Sequence, residues 1–195
     1  MDISSVIQLI ILVILLALSA FFSSSETALT TVNRIRMRSL AEEGNKRAAR
    51  VLQVTDDSAK MLSAILIGNN VVNLTASSLA TALALRIFGN AGAGIATGIL
   101  TVLILIFGEI SPKTMATLRA EKISLRFCNI IWLLMKALTP VIFIINHLAM
   151  LVLRIMGVKA SEGRQAMTES ELRTIVDVSH ESGVIESEEK EMINN

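Results

Sequence analysis

Residues 95–113 read IATGILTVLILIFGEISPK. An uncharged, strongly apolar run ends on a carboxylate, Glu109, followed by Pro112 and Lys113. The run belongs to a longer uncharged stretch, residues 87–108, and residues 3–25 and 61–85 are uncharged as well. Each exceeds the roughly 20 residues an α-helix needs to cross the hydrocarbon core. None carries the polar stripe of a helix that packs in a soluble bundle. The sequence therefore predicts an all-α integral membrane protein with spans at about 3–25, 61–85 and 87–110.

Composition agrees with this. The 195 residues are 52% hydrophobic and 18% charged, with a net charge of +1, where soluble domains carry about a quarter charged residues. The single Cys128 excludes an intrachain disulfide. The N-terminal run lacks a basic n-region and a cleavage site, so it is read as a retained helix and not as a signal peptide.

Lys and Arg set the expected orientation. None precedes the first span, whereas Arg34, Arg36, Arg38, Lys46, Arg47, Arg50 and Lys60 follow it. The positive-inside rule then puts the N-terminus outside and this loop in the cytoplasm. Residues 34–55 have helical spacing among basic residues, interrupted at Gly44, and read either as juxtamembrane helices on anionic headgroups or as a solvated basic loop. The stretch lacks interleaved aromatics, so membrane lipids, and no nucleic acid, are its expected partners. Gly89, Gly92 and Gly94 mark a short external turn between the second and third spans.

Residues 123–157 are long enough to span, but Thr139-Pro140 falls near the middle and both flanks are basic. Two helices at the inner leaflet are expected, with a fourth span as the alternative. Residues 1–158 are thus read as the membrane domain and 159–195 as a cytoplasmic acidic helical segment. That segment carries Glu162, Glu169, Glu171, Asp177 and Glu181 among nine acids. Thr168 and Glu171 form a capping box there, and its end suggests a further domain beyond.

Three patches place polar groups at membrane depth, where they are costly and point to function. The first runs from Ser19 through Ser23, Ser24 and Ser25 to Glu26, and offers hydroxyls either to a hard cation or to tight helix packing. In the second, Asn69 and Asn73 share a helix face at i,i+4, available as amide ligands or as interhelical glue. In the third, Pro112 has no N–H, so the Gly108 carbonyl is expected to lose its helical partner beside Glu109, as in the broken helices that build ion sites. The inventory is hard oxygen donors without clustered Cys or His. It points to Mg²⁺, Na⁺ or Ca²⁺ rather than zinc or copper. Lys113 is read as an interface charge near the site. A Ser23–Lys113 nucleophile pair has no supporting signature, and an enzyme is not expected.

Taken in order, FFSSSETAL (residues 21–29), IGNNVVN (67–73), GEISPK (108–113) and MTESELRTIVDVSHESGVIESEEKEMI (167–193) resemble the CorC and cyclin M (CNNM) proteins. The resemblance covers essentially the whole chain. It implies a homodimeric Mg²⁺ transporter of the cell membrane, often described as Mg²⁺ efflux coupled to Na⁺. It also implies three transmembrane helices with juxtamembrane helices, and an acidic bundle leading to a CBS-pair domain that binds ATP-Mg²⁺. The family's ion site would fall on Ser23, Asn69, Asn73, Gly108 and Glu109, with Pro112 shaping the backbone. Many relatives have Gly where this chain has Ser24, which leaves the roles of Ser24 and Ser25 open. A membrane-anchored Mg²⁺ sensor that regulates another transporter is the alternative function.

Overall fold

The computed structural model describes residues 3–156. The acidic-segment residues Glu162, Glu169, Glu171, Asp177 and Glu181 lie outside the described residues. The chain divides into two units, Met1–Ile144 and Ile145–Asn195. Within the first, α1 (Ile3–Thr31), α2 (Arg34–Glu42), α3 (Lys46–Asp56), α4 (Ser58–Leu103), a π-helical segment (Ile104–Ile110), α5 (Ser111–Leu118) and α6 (Ala120–Ala137) follow in order. α7 (Thr139–Ile155) begins in the first unit, and its later turns are the described part of the second. No strand occurs among the described residues.

Among the described residues three helices are long and apolar enough to cross a membrane, Ile3–Thr31, Ser58–Gly89 and Gly94–Leu118, with the bent pair Ala120–Ala137 and Thr139–Ile155 a fourth if it forms one broken span. They are inside-out relative to a soluble bundle. α1 buries Ser5, Ser19, Ser23, Ser24 and Ser25, while Ile3, Val6, Ile7, Val13 and Ile14 face outward. Hydrocarbon solvates those side chains as well as a protein core does, so helix contact is left to small and polar residues. Gly68 illustrates the consequence. A Cβ there would lie 2.5 Å from Cζ of Phe22, so the bare backbone lets that ring wedge α1 against α4.

The element ends differ from expectation in three places. α1 does not stop at residue 25 but runs on to Thr31. Thr30 and Thr31 return their hydroxyls to carbonyls of Glu26 and Thr27, which keeps the polar end helical. The turn between the second and third spans is made at Gly89, whose φ of 68° and ψ of −170° suit glycine. The third span then starts at Gly94 and continues past residue 110 to Leu118.

The third difference corrects the expectation of a helix broken at Pro112. The chain remains helical, and residues 104–110 widen into a π-helix in which the Ser111 N–H reaches back to the Ile106 carbonyl. A proline ring clashes with the carbonyl four residues earlier and supplies no N–H. One wide turn moves that carbonyl aside, and Pro112 then sits in the first turn of α5, where a missing N–H costs least.

At the basic end, α2 and α3 form a capped pair. Asn33 Oδ1 accepts from the Arg36 N–H at 3.0 Å, and Asn45 Oδ1 accepts from those of Arg47 and Ala48 at 3.0 and 3.2 Å. Between them Gly44, at φ 92°, closes α2 as a Schellman motif: Gly44 N–H donates to Ala41 and Asn45 N–H to Leu40. Met37, Val51, Val54, Met61, Ile65, Cys128 and Ile131 are fully buried where these helices meet α4 and α6. After α6 the chain bends by 70° into α7. Pro140 falls in the first turn of α7, so the proline starts a helix here and does not interrupt one.

Candidate cation site between the three spans

Each span contributes oxygen to one region. On α1, Ser19, Ser23 and Glu26 recur at helical spacing and share a stripe. The Ser19 hydroxyl donates to the Gly108 carbonyl at 3.5 Å. At the other end of the stripe, Glu26 Oε2 lies 3.3 Å from Lys113 Nζ. Ser23 falls between these two contacts. Its hydroxyl is buried and has no hydrogen-bond partner.

On α4, Asn69 and Asn73 stack one turn apart, with Asn73 Nδ2 3.5 Å from Asn69 Oδ1. The same Nδ2 donates to Glu109 Oε1 at 3.2 Å, which fixes the amide with its nitrogen towards the carboxylate. Asn73 Oδ1 is then left buried without a donor. Asn70, on a different face, is exposed.

The third span provides Gly108 and Glu109 from the π segment. Gly108 is buried, and a Cβ on it would lie 2.8 Å from the Ser19 hydroxyl. Glycine is thus required for the approach of α1 to this carbonyl. Among the described residues no ion pair involves Glu109, and Lys113, one turn on, is held by Glu26. A half-buried carboxylate in an apolar helix, without a cationic partner among the described residues, thus contacts an asparagine whose own amide oxygen is orphaned.

Unsatisfied buried oxygens are uncommon and call for a partner. Asn73 Oδ1 needs an electron-poor one, to which the Ser23 hydroxyl can also offer its lone pairs, and the carboxylate needs a positive one. A small hard cation meets both needs. Among the described residues, no group of three His, Cys, Asp or Glu side chains converges as a metal site. The donor set is therefore neutral oxygens with one carboxylate. Ser25 stands apart: its hydroxyl bonds the Phe21 carbonyl at 2.7 Å. Ser24 is buried on yet another face of α1.

Two features were not legible beforehand. Ser19, not Ser23, is the hydroxyl that meets Gly108, and Lys113 is tied to Glu26 rather than standing as a separate interface charge. The spacing Ser19–Ser23–Glu26 was the available signal, but only the docking of α1 says which rung meets which carbonyl.

Comparison with known proteins decides the family. The family described as "Cyclin M transmembrane N-terminal domain" matches residues 10–189. The chain belongs to the cyclin M transmembrane domain family. This cyclin M domain is 43% identical over 167 residues to a UPF0053 protein of Haemophilus influenzae, covering 86% of this chain and 40% of that protein. It is 40% identical over 166 residues to the UPF0053 inner membrane protein YfjD of Escherichia coli, covering 85% and 38%. A chloroplastic DUF21 domain-containing protein of Arabidopsis thaliana is 40% identical over 189 residues, covering 96% and 28%. The chain thus spans well under half the length of these relatives. Its apolar helices and its family membership make it a multi-pass membrane protein.

Proposed function

We propose that this cyclin M domain binds and transports Mg²⁺, with Ser23, Asn69, Asn73, Gly108 and Glu109 as the ion's oxygen donors. The observation that carries this reading is Glu109. Its carboxylate has no cationic partner among the described residues and accepts from Asn73, whose own Oδ1 is orphaned, while the orphaned Ser23 hydroxyl lies on α1 between the Ser19–Gly108 and Glu26–Lys113 contacts. Mg²⁺ gives up its water reluctantly and favours six oxygens in an octahedron. Neutral donors from three helices, completed by retained waters, suit an ion that must also leave. A cage of several carboxylates would hold it too tightly to pass.

Within this reading the N-terminus faces outward across the cell membrane, and the basic α2–α3 pair faces the cytoplasm. Na⁺ is the coupling ion, because a site of neutral oxygens with a single carboxylate also suits a monovalent hard cation. The working unit is a homodimer, and the full-length chain continues into a cytoplasmic CBS-pair domain that takes ATP-Mg²⁺.

Flux through the purified protein in liposomes tests the proposal. Mg²⁺ movement that depends on the protein, is lost in Glu109→Ala and responds to a Na⁺ gradient is the expected result. Mg²⁺ binding without flux would leave the domain as a membrane-anchored sensor and overturn transport.

A further inference from the structure

The chain's single tryptophan, Trp132, lies on α6 at its seam with α3. Two cations converge on its ring. Arg50 Cζ, from α3, is 4.1 Å from the ring centroid. Lys136 Nζ, one turn further along α6, is also 4.1 Å from it. The two charges are therefore no more than about 8 Å apart, within one Debye length at physiological salt. A cation over an indole face is favourable. Two like charges gathered on one indole nevertheless repel.

Among the described residues no carboxylate pairs with either cation. The ion pairs among the described residues join Arg34 to Asp56, Arg36 to Glu121 and Lys113 to Glu26. The Arg50 guanidinium instead donates to the neutral Gln53 Oε1 at 2.9 Å. Lys46 and Arg47, exposed at the start of α3, lie one turn from Arg50 and add to the same positive field.

The seam itself is closely packed. Ala48, Val51, Cys128, Ile131 and Met135 are buried along it, and the Cys128 thiol lies 3.6 Å from the Arg47 carbonyl. Around α6 the surface changes in a fixed order. The buried face carries Cys128, Ile131 and Met135; Trp132 and Lys136 come next, then the exposed Asn129; Leu133 and Ile130 face outward at 62% and 53% exposure, with the exposed Arg126 one to two turns before them. A cationic rung therefore lies on the tryptophan beside an outward face on which Leu133 and Ile130 are the large apolar groups and Arg126 adds a further cation. Tryptophan favours this position at a membrane–water interface.

We infer that Arg50, Trp132 and Lys136 form a binding site for the phosphate-bearing headgroup of an anionic phospholipid, whose acyl chain lies along Ile130 and Leu133. The phosphate supplies the missing negative charge, and the tail covers apolar surface that a soluble anion would leave bare. The site lies on the outside of the α3–α6 seam and does not share residues with the Ser23–Asn73–Glu109 region.

Trp132 reports on its own site. The intact chain, purified in a neutral detergent, is titrated with phosphatidylglycerol or phosphatidylcholine carrying brominated acyl chains, which quench tryptophan fluorescence on contact. Phosphatidylglycerol is expected to quench at about thirty-fold lower mole fraction, the weight of two juxtamembrane cations. That preference should vanish in Arg50→Gln/Lys136→Gln and survive in Arg50→Lys/Lys136→Arg. Equal quenching by the two lipids in the native chain overturns the site before any variant is made. A preference that persists in the double glutamine variant overturns the assignment to these residues. Displacement of brominated phosphatidylglycerol by millimolar inorganic phosphate assigns the site to a soluble anion instead.

Discussion

Asn73 of the second span donates its amide N–H to the Glu109 carboxylate of the third, 3.2 Å away, and leaves its own carbonyl oxygen buried without a donor. That division of one amide supports the carboxylate with one end and offers an oxygen with the other. It separates the two residues experimentally. Glu109→Gln keeps an acceptor for Asn73 and removes only charge, so its unfolding temperature without Mg²⁺ should match the native chain. The Mg²⁺-dependent rise in that temperature, worth about 2.7 kcal/mol at a hundred times Kd, should disappear. Asn73→Ala should lose both. It forfeits a hydrogen bond to a charged group, typically about 1.5–3 kcal/mol, and a candidate ion ligand.

Gly108→Ala puts a methyl group 2.8 Å from the Ser19 hydroxyl and 3.3 Å from Ser19 Cβ. Overpacking of this kind costs about 1–3 kcal/mol. Thermal unfolding should show the loss, and the second change Ser19→Ala should recover part of it by removing the nearer atom. If Gly108→Ala unfolds like the native chain, α1 does not approach the third span this closely.

Pro112→Ala restores an N–H to the third span and removes the ring that favours the wide turn. The π segment should relax towards α-helix, with helicity by circular dichroism unchanged or slightly raised. Dropping one wide turn rotates Glu109 relative to Lys113, so Mg²⁺ affinity by titration calorimetry should fall at least tenfold. Unchanged affinity would show that the ion site does not need the π register.

The Glu26–Lys113 pair spans 3.3 Å, with side chains 26% and 44% exposed. Partly exposed pairs contribute about 0–1 kcal/mol. A double-mutant cycle with Glu26→Gln and Lys113→Gln should return a coupling in that range. The larger effect is expected on ion access, because releasing Lys113 frees a cation one turn from Glu109. Lys113→Gln should therefore raise Mg²⁺ affinity, and a decrease would argue that Lys113 only braces the helices.

Topology is testable with thiol labelling. Cys128 is fully buried, so native protein should react slowly with maleimide and quickly in denaturant. Against that silent background, Gly94→Cys occupies open space at the turn between the second and third spans. Ile35→Cys replaces a side chain that is 82% exposed on α2. A membrane-impermeant maleimide should label position 94 in intact cells and position 35 only after permeabilisation. The reverse pattern would invert the proposed orientation.

Much of the fold was legible because lipid imposes a simple rule. Backbone groups in hydrocarbon must bond internally, so long uncharged runs become helices whatever their neighbours. Gly44 likewise announced a helix end, since a Schellman turn is local chemistry. Pro112 was read as a break because local rules treat a proline within a helix as an interruption. The structure keeps the helix by widening a turn, which takes the Ser111 N–H back to the Ile106 carbonyl.

The candidate site divides in the same way. Sequence by itself determined which residues are out of place in lipid: three serines, two asparagines on one face, and a glycine–glutamate pair before a proline. It did so because the penalty for a polar group at membrane depth depends on that residue alone. Only the tertiary structure decided the pairings. Ser19 meets Gly108, Asn73 meets Glu109, Glu26 meets Lys113, and Ser23 is left without a partner. Those contacts depend on how far each helix slides and turns against the next. That register is set by the close approach at Gly68 and Gly108, where the absence of a side chain admits a neighbour and the one-dimensional pattern does not say which.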